Sequence, residues 1–143
     1  MANEQPGNVI VHRKLVRDRI PEIIAAEGST PVVRVLPSAE FAASLRAKLT
    51  EEVQEYLAAA RTADEAAGTT NAADATAAAT EELADLLELL HALAAQHGCS
   101  ATELEALREQ KRAARGGFAQ RLWLEQVLLV AGAAPTDSVH NAH

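Results

Sequence analysis

The stretches KLTEEVQEYL at Lys48–Leu57 and TEELADLLELLHALAAQ at Thr80–Gln96 decide the fold of this chain. Around the first, Phe41, Leu45, Leu49, Val53, Tyr56 and Leu57 recur near helical spacing. They predict a long helix opened by Ser38 as N-cap and running to about Arg61. Around the second, Leu83, Leu86, Leu87, Leu90 and Leu93 form another stripe. It predicts a helix from about Thr80 to His97, stopped by Gly98. Two such stripes bury each other, so the expected class is mainly α, a helical bundle.

Working outward, residues 58–79 hold twelve alanines in twenty-two positions, with Gly68, Thr69, Thr70 and Asn71 in the middle. That composition gives no stripe, and residues 62–79 read as a connector, helical at its edges and mobile at its centre. Upstream, Pro21 suits the first turn of a short helix with Ile23 and Ile24 on its buried side, and Gly28 ends it. Pro31–Leu36 is β-branched and bounded by prolines, and reads as a short strand. Downstream, Ser100 and Glu103 have capping-box spacing, opening a helix through Leu104 and Leu107 to about Ala114. Gly116-Gly117 breaks it, and FAQRLWLEQVLLV at 118–130 reads as strand-like. The bundle therefore leaves room for a short two-stranded β element. The expectation is one domain over residues 12–130, with 1–11 and 131–143 as flexible ends.

Bulk properties narrow the function. A length of 143 residues suits one domain with a real core. Aromatics are only 3%, so that core is aliphatic and alanine-based, as helix packing favours. A net charge of -7 argues against a nucleic-acid partner, yet leaves a phosphorylated small molecule open, because a bound dication reverses the local sign. The single cysteine, Cys99, has no internal partner and reads as structural, which suggests a reducing cytoplasm. MANEQPGN has no secretory pattern, and the richest apolar run is broken by Glu88 and His91, so no membrane partner is expected.

The chemistry lies in two acidic clusters, Glu51-Glu52-Val53-Gln54-Glu55 and Glu81-Glu82-Leu83-Ala84-Asp85. Glu52/Glu55 and Glu82/Asp85 are each three apart, on neighbouring turns of one helix face. At roughly 100° per residue they fall on same-handed shoulders of the Leu49/Val53/Tyr56 and Leu83/Leu87/Leu90 stripes. Antiparallel packing by those stripes would converge four carboxylates at one edge of the seam. Like charges so close call for a neutralising cation, and an all-oxygen donor set favours Mg²⁺, or Mn²⁺, over zinc. Acidic residues on helices are often only a solvated face, and Glu81 and Glu82 also suit the helix dipole. That does not account for Asp85, or for Glu52 and Glu55 deep inside their helix. Glu88 and His91 have the ExxH spacing of di-iron bundles, but such sites need two of these motifs and the chain has one.

These residues resemble the EExxE…ExxD signature of the all-α nucleoside triphosphate pyrophosphohydrolases, the MazG-like superfamily that includes phosphoribosyl-ATP pyrophosphohydrolase. KLVRDRIPEII at Lys14–Ile24, RVL at Arg34–Leu36, KLTEEVQE, EELADLLELLHALA and KRAARGGFAQRLWLEQV at Lys111–Val127 follow in the order of that group. The resemblance is greatest to its stand-alone house-cleaning branch. It implies Glu52, Glu55, Glu82 and Asp85 as metal ligands, with Glu51 holding a second metal or orienting the attacking water. It also implies hydrolysis between the α- and β-phosphates of a nucleoside triphosphate, and a homodimer or homotetramer. Lys14, Arg17, Arg19, Lys111 and Arg115 are the candidate phosphate contacts, since guanidinium and ammonium groups suit phosphate oxygens. For Lys111 and its neighbour Arg112, complementing the helix dipole is an equal reading. Asp18 is expected to position the arginines beside it. Trp123 could stack on a base, although core packing is the commoner use of an indole. Phosphoribosyl-ATP hydrolysis is the rival activity, and a non-catalytic helical dimerisation module the rival from another class.

Overall fold

The structure of the protein, a computed structural model, describes residues 8–128. The expected loose ends at 1–7 and 131–143, and the last residues of the 118–130 segment, lie outside these. The described residues form four α-helices and no strand: α1 Ile20–Ala26, α2 Ser38–Ala66, α3 Ala72–Gln96 and α4 Ala101–Arg115. The class is all-α as expected. None of these helices is long and apolar enough to cross a membrane. The chain divides into two compact units, Met1–Glu105 and Ala106–His143.

The first unit is built on the hairpin of α2 and α3, which pack on one another. The connector expected at 62–79 is mostly helix, and only residues 67–71 turn. Alanine shows no apolar contrast, yet it is the strongest helix former, so propensity carries both helices to the turn. Thr62, Thr76 and Thr80 add hydroxyl bonds to the carbonyls of Ala58, Ala72 and Thr76. The turn closes tightly: Thr69 donates through its N–H (2.9 Å) and its hydroxyl (2.6 Å) to the Ala66 carbonyl. Gly68 sits at φ 79° with open space where a Cβ would stand. Gly68→Ala is therefore expected to cost about 1 kcal/mol through backbone conformation alone. A thermal melt should drop by a few degrees without loss of helical signal.

The seam repeats at intervals of four and three. On α2 it runs Leu45, Leu49, Glu52, Tyr56, Ala59, Ala63, Ala66, and on α3 Ala72, Ala75, Ala79, Glu82, Leu86, Leu89, Leu93, each buried or half-buried. This is the antiparallel coiled-coil pattern, with small alanines near the turn allowing close approach and leucines filling the open end. Among the described residues, the apolar residues most buried are Leu45, Leu89 and Ala94. Of the expected stripes, Leu45, Leu49, Tyr56, Leu86 and Leu93 lie in this seam. Val53, Leu57, Leu83, Leu87 and Leu90 are instead 39–54% exposed. One position is 100° of rotation, and this leucine-rich sequence offers large side chains on both faces.

The helix ends follow their chemistry with one change. Ser38 is the first residue of α2 and makes no side-chain cap; Pro37 stands at the N-cap, its carbonyl accepting from Phe41 N–H at 2.8 Å. At the end of α3, Cys99 N–H returns to the Ala94 carbonyl (3.0 Å) around Gly98 at φ 72°, which satisfies orphan carbonyls. Ser100 and Glu103 form the expected capping box: Ser100 N–H to Glu103 Oε2 at 2.8 Å and Glu103 N–H to Ser100 Oγ at 3.2 Å. α1 carries Pro21 in its first turn as expected, but buries no residue, and Ile23 is exposed.

The strand expected at Pro31–Leu36 is absent. Val32 and Val35 are 96% and 97% exposed, and a β-prone segment without a neighbouring strand has nothing to satisfy its ladder. The segment is instead tied to the first turn of α2 by an ion pair between Arg34 and Glu40. The hydrogen bond from Arg34, followed by its charge, holds the Glu40 carboxyl below the usual range. Because the folded value is depressed, this tie is complete above the ordinary glutamate pKa and is lost as pH falls through the lowered value. The backbone mobility of residues 32–36, read by 15N relaxation, is expected to rise below about pH 4, and Glu40→Gln should reproduce that rise at neutral pH.

In the second unit, α4 ends at Gly116, and residues 118–128 carry a turn and then no regular structure, so the strand-like reading fails for the described part. Trp123 is 87% exposed and does not pack in a core.

Candidate metal centre

Two seam positions that an apolar residue would fill are occupied by Glu52 and Glu82. Glu52 stands between Leu49 and Tyr56 and is only 6% exposed. Glu82 stands between Ala79 and Leu86 on the facing helix, half-buried. The ligands expected on the shoulders of the stripe thus include two in the seam itself. Glu51, Glu55 and Asp85 lie one step round, on the edge opposite the exposed leucines.

Carboxylate oxygens of Glu52, Glu82 and Asp85 lie within 4.8 Å of one another, and so do those of Glu51, Glu52 and Glu55. Glu52 belongs to both trios, so all four expected ligands, with Glu51, gather around one buried carboxylate. Residues from two helices meet here because the seam register sets Glu52 near Glu82. The Glu55 carboxyl is pushed up, first by desolvation and then by repulsion from Glu52, Glu51 and Glu82. An all-oxygen, multi-carboxylate set of this span fits a hard dication such as Mg²⁺ or Mn²⁺.

Basic residues already answer part of that charge. Lys48 Nζ is 2.6 Å from Glu52 Oε1 and 3.6 Å from Glu51 Oε1. Burial alone would lower the Lys48 ammonium, but the hydrogen bond to Glu52 and the charges of Glu52, Glu51 and Glu55 leave it raised. Lys14 reaches Glu51 at 3.5 Å, and Arg17 reaches Asp85 at 2.8 Å. Two of the expected phosphate contacts are therefore at the cluster. Arg19 is not: it pairs with Glu22 on its own helix turn at 3.4 Å, both side chains well exposed. The partners of Arg17 and Arg19 are thus Asp85 and Glu22 rather than Asp18. Asp18 shares with Arg17, Val16, Pro21 and Val33–Val35 the wall of a recess of about 260 Å³. Lys111 and Arg115 are exposed on α4 in the second unit.

The sequence reading missed Lys48. It carried a signal, since a lysine four residues before Glu52 shares its helix face.

The fold and site define an α-helical hairpin with a carboxylate-rich centre. Among curated proteins, a protein of Mycolicibacterium smegmatis (strain ATCC 700084 / mc(2)155), described as an uncharacterised protein, is 61% identical over 46 residues, 32% of this chain. The match spans 47% of that relative's length. No protein-family profile matches the chain. No solved structure matches it.

Proposed function

We propose that this chain is a magnesium-dependent nucleoside triphosphate pyrophosphohydrolase, able to use Mn²⁺, of the MazG-like kind. It cleaves the α–β phosphate bond to give a nucleoside monophosphate and pyrophosphate, and clears surplus or non-standard nucleotides in the cytoplasm. One observation carries the reading. Glu52 is a carboxylate at 6% exposure in a helix seam, with Glu82 and Asp85 from the facing helix converging on it. Lys48, Lys14 and Arg17 offset part of this gathered charge, and a dication would offset the rest.

A dication held there would offset phosphate charge and make bound water a better nucleophile. The protein groups divide the remaining work. Glu52, Glu82 and Asp85 would hold the ion, while Glu55 and Glu51 would complete its shell or accept the proton of the attacking water. Arg17 and Lys14, at the rim of the cluster, bind and orient the phosphates. The order of KLVRD, EExxE, ExxD and RGGF along the chain supports the same reading. Val53, Leu57, Leu83, Leu87 and Leu90 lie on one face of the hairpin, at 39–54% exposure, and support a homodimer or homotetramer.

The test is pyrophosphate release from standard and modified nucleoside triphosphates and from phosphoribosyl-ATP, with Mg²⁺. Release from one or a few substrates, abolished by EDTA, is expected. Release from phosphoribosyl-ATP alone would move the assignment to histidine synthesis. No release with Mg²⁺ or Mn²⁺ would overturn the catalytic reading.

A further inference from the structure

Beside the carboxylate cluster is a recess of about 150 Å³ lined by Arg13, Lys14, Leu15, Ser44, Lys48 and Glu51. Three of these side chains are cationic and one is anionic, so its charge is opposite to that of the acidic centre it adjoins. Its volume is below the roughly 300 Å³ at which pockets begin to enclose whole drug-sized ligands, but suits a small anion. Arg13 holds a left-handed backbone (φ 48°), uncommon outside glycine, next to the bend at Lys14.

We propose that this recess is the subsite for the outer phosphates, the part released as pyrophosphate, and that Lys48 is its principal cation with Arg13 and Lys14 beside it. This rests on the function proposed above and assigns Lys48 a role in it. Lys48 is held by Glu52 at 2.6 Å and by Glu51 at 3.6 Å, and Lys14 by the same Glu51 oxygen at 3.5 Å. Both ammonium groups thus neutralise carboxylates on which a dication would bind. Once Glu52 is committed to a dication, Lys48 is repelled by that charge and loses its nearer partner, keeping only Glu51 at 3.6 Å. Its flexible stem needs only a rotamer change to turn into the recess, of which it already forms a wall. A phosphate there receives Lys48 and Lys14 as they leave the glutamates. Dication and pyrophosphate therefore assist each other's binding, by the same factor in both directions.

The experiment is calorimetric titration of the full chain with Mn²⁺ alone, and then with pyrophosphate while Mn²⁺ is in excess. Wild type is expected to bind pyrophosphate much more tightly with Mn²⁺ than without. Lys48→Gln should bind Mn²⁺ alone as tightly as wild type or severalfold tighter, because no ammonium must be displaced, yet bind pyrophosphate at least tenfold more weakly. Arg13→Gln should leave Mn²⁺ binding unchanged and weaken pyrophosphate severalfold, and Lys48→Arg should recover most of the loss. Mn²⁺ binding that is kept or tightened while pyrophosphate binding weakens cannot come from misfolding, which would weaken both. If wild type binds Mn²⁺ but Lys48→Gln and Arg13→Gln hold pyrophosphate as wild type does, the subsite is wrong and the metal centre stands. If wild type binds no Mn²⁺, the reading beneath it falls as well.

Discussion

Replacing Glu52 by leucine is expected to make the protein more stable, by roughly 5 °C in melting temperature, or about 1 kcal/mol, while removing dication binding and turnover. Glu52 occupies a seam position with Leu49 and Tyr56 above and below it on α2. Leucine there continues the apolar repeat and buries its side chain, a gain of roughly 1.5–3 kcal/mol before losses are counted. The main loss is the ion pair with Lys48, and that lysine keeps a second partner in Glu51 at 3.6 Å. Exchanging a buried ionic group for an apolar one of similar volume is often neutral or stabilising. Loss of the shared ligand of both carboxylate trios should weaken metal binding by more than about 100-fold, beyond the effect of altering an outer-shell group. Thermal melts and Mn²⁺ titration of Glu52→Leu measure the two effects separately. A less stable variant would mean that Glu52 is retained for structure rather than for a cation.

The second large effect concerns the exposed aliphatic face. Leu83, Leu87 and Leu90 are four and three residues apart on α3, and Val53 and Leu57 bring α2 to the same side of the antiparallel hairpin. Among the described residues only Leu45, Leu89 and Ala94 are buried apolar ones, so the hairpin has little core of its own and covering this face against a second copy is the available route to one. Leu87→Glu places a charge where leucine would be desolvated, and a two-fold interface contains the change twice. The dissociation constant is expected to rise by at least about 100-fold, read by analytical ultracentrifugation over a concentration series. The carboxylates lie on the opposite edge, so Mn²⁺ affinity should hold. Wild type sedimenting as a monomer at about 100 µM, weaker than nearly any specific assembly, would contradict the covered-face reading.

The acidic pairs were legible in the sequence because helix geometry fixes which carboxylates three apart share a face. Both long helices were legible for the same reason. Their true length was not: Ala58–Ala66 and Ala72–Ala79 have high propensity but no apolar contrast, so periodicity was silent where propensity was loud. Pro31–Leu36 misled in the opposite way, its β-branched residues signalling a strand that no partner completes. Val53, Leu57, Leu83, Leu87 and Leu90 were wrongly assigned to the seam because large aliphatics stand on both faces, as on either side of Glu88, and hydrophobicity alone does not choose a face. The clue was the charge itself. A repeat that admits Glu52 and Glu82 as members gives a regular four-three pattern through both helices, whereas the stripe of large aliphatics does not. Contacts such as Arg17 with Asp85 join segments far apart in sequence and follow only from the folded chain.

Glu52, Glu82 and Asp85 are proposed to hold a dication between α2 and α3. Mn²⁺ titration followed by electron paramagnetic resonance tests this most directly, because free Mn²⁺ gives the sharp signal and bound Mn²⁺ does not. Saturable uptake by wild type is expected, reversed by Mg²⁺, and at least tenfold weaker in Glu82→Gln and in Asp85→Asn with the helical signal retained. Uptake by wild type no greater than by the two variants would contradict it.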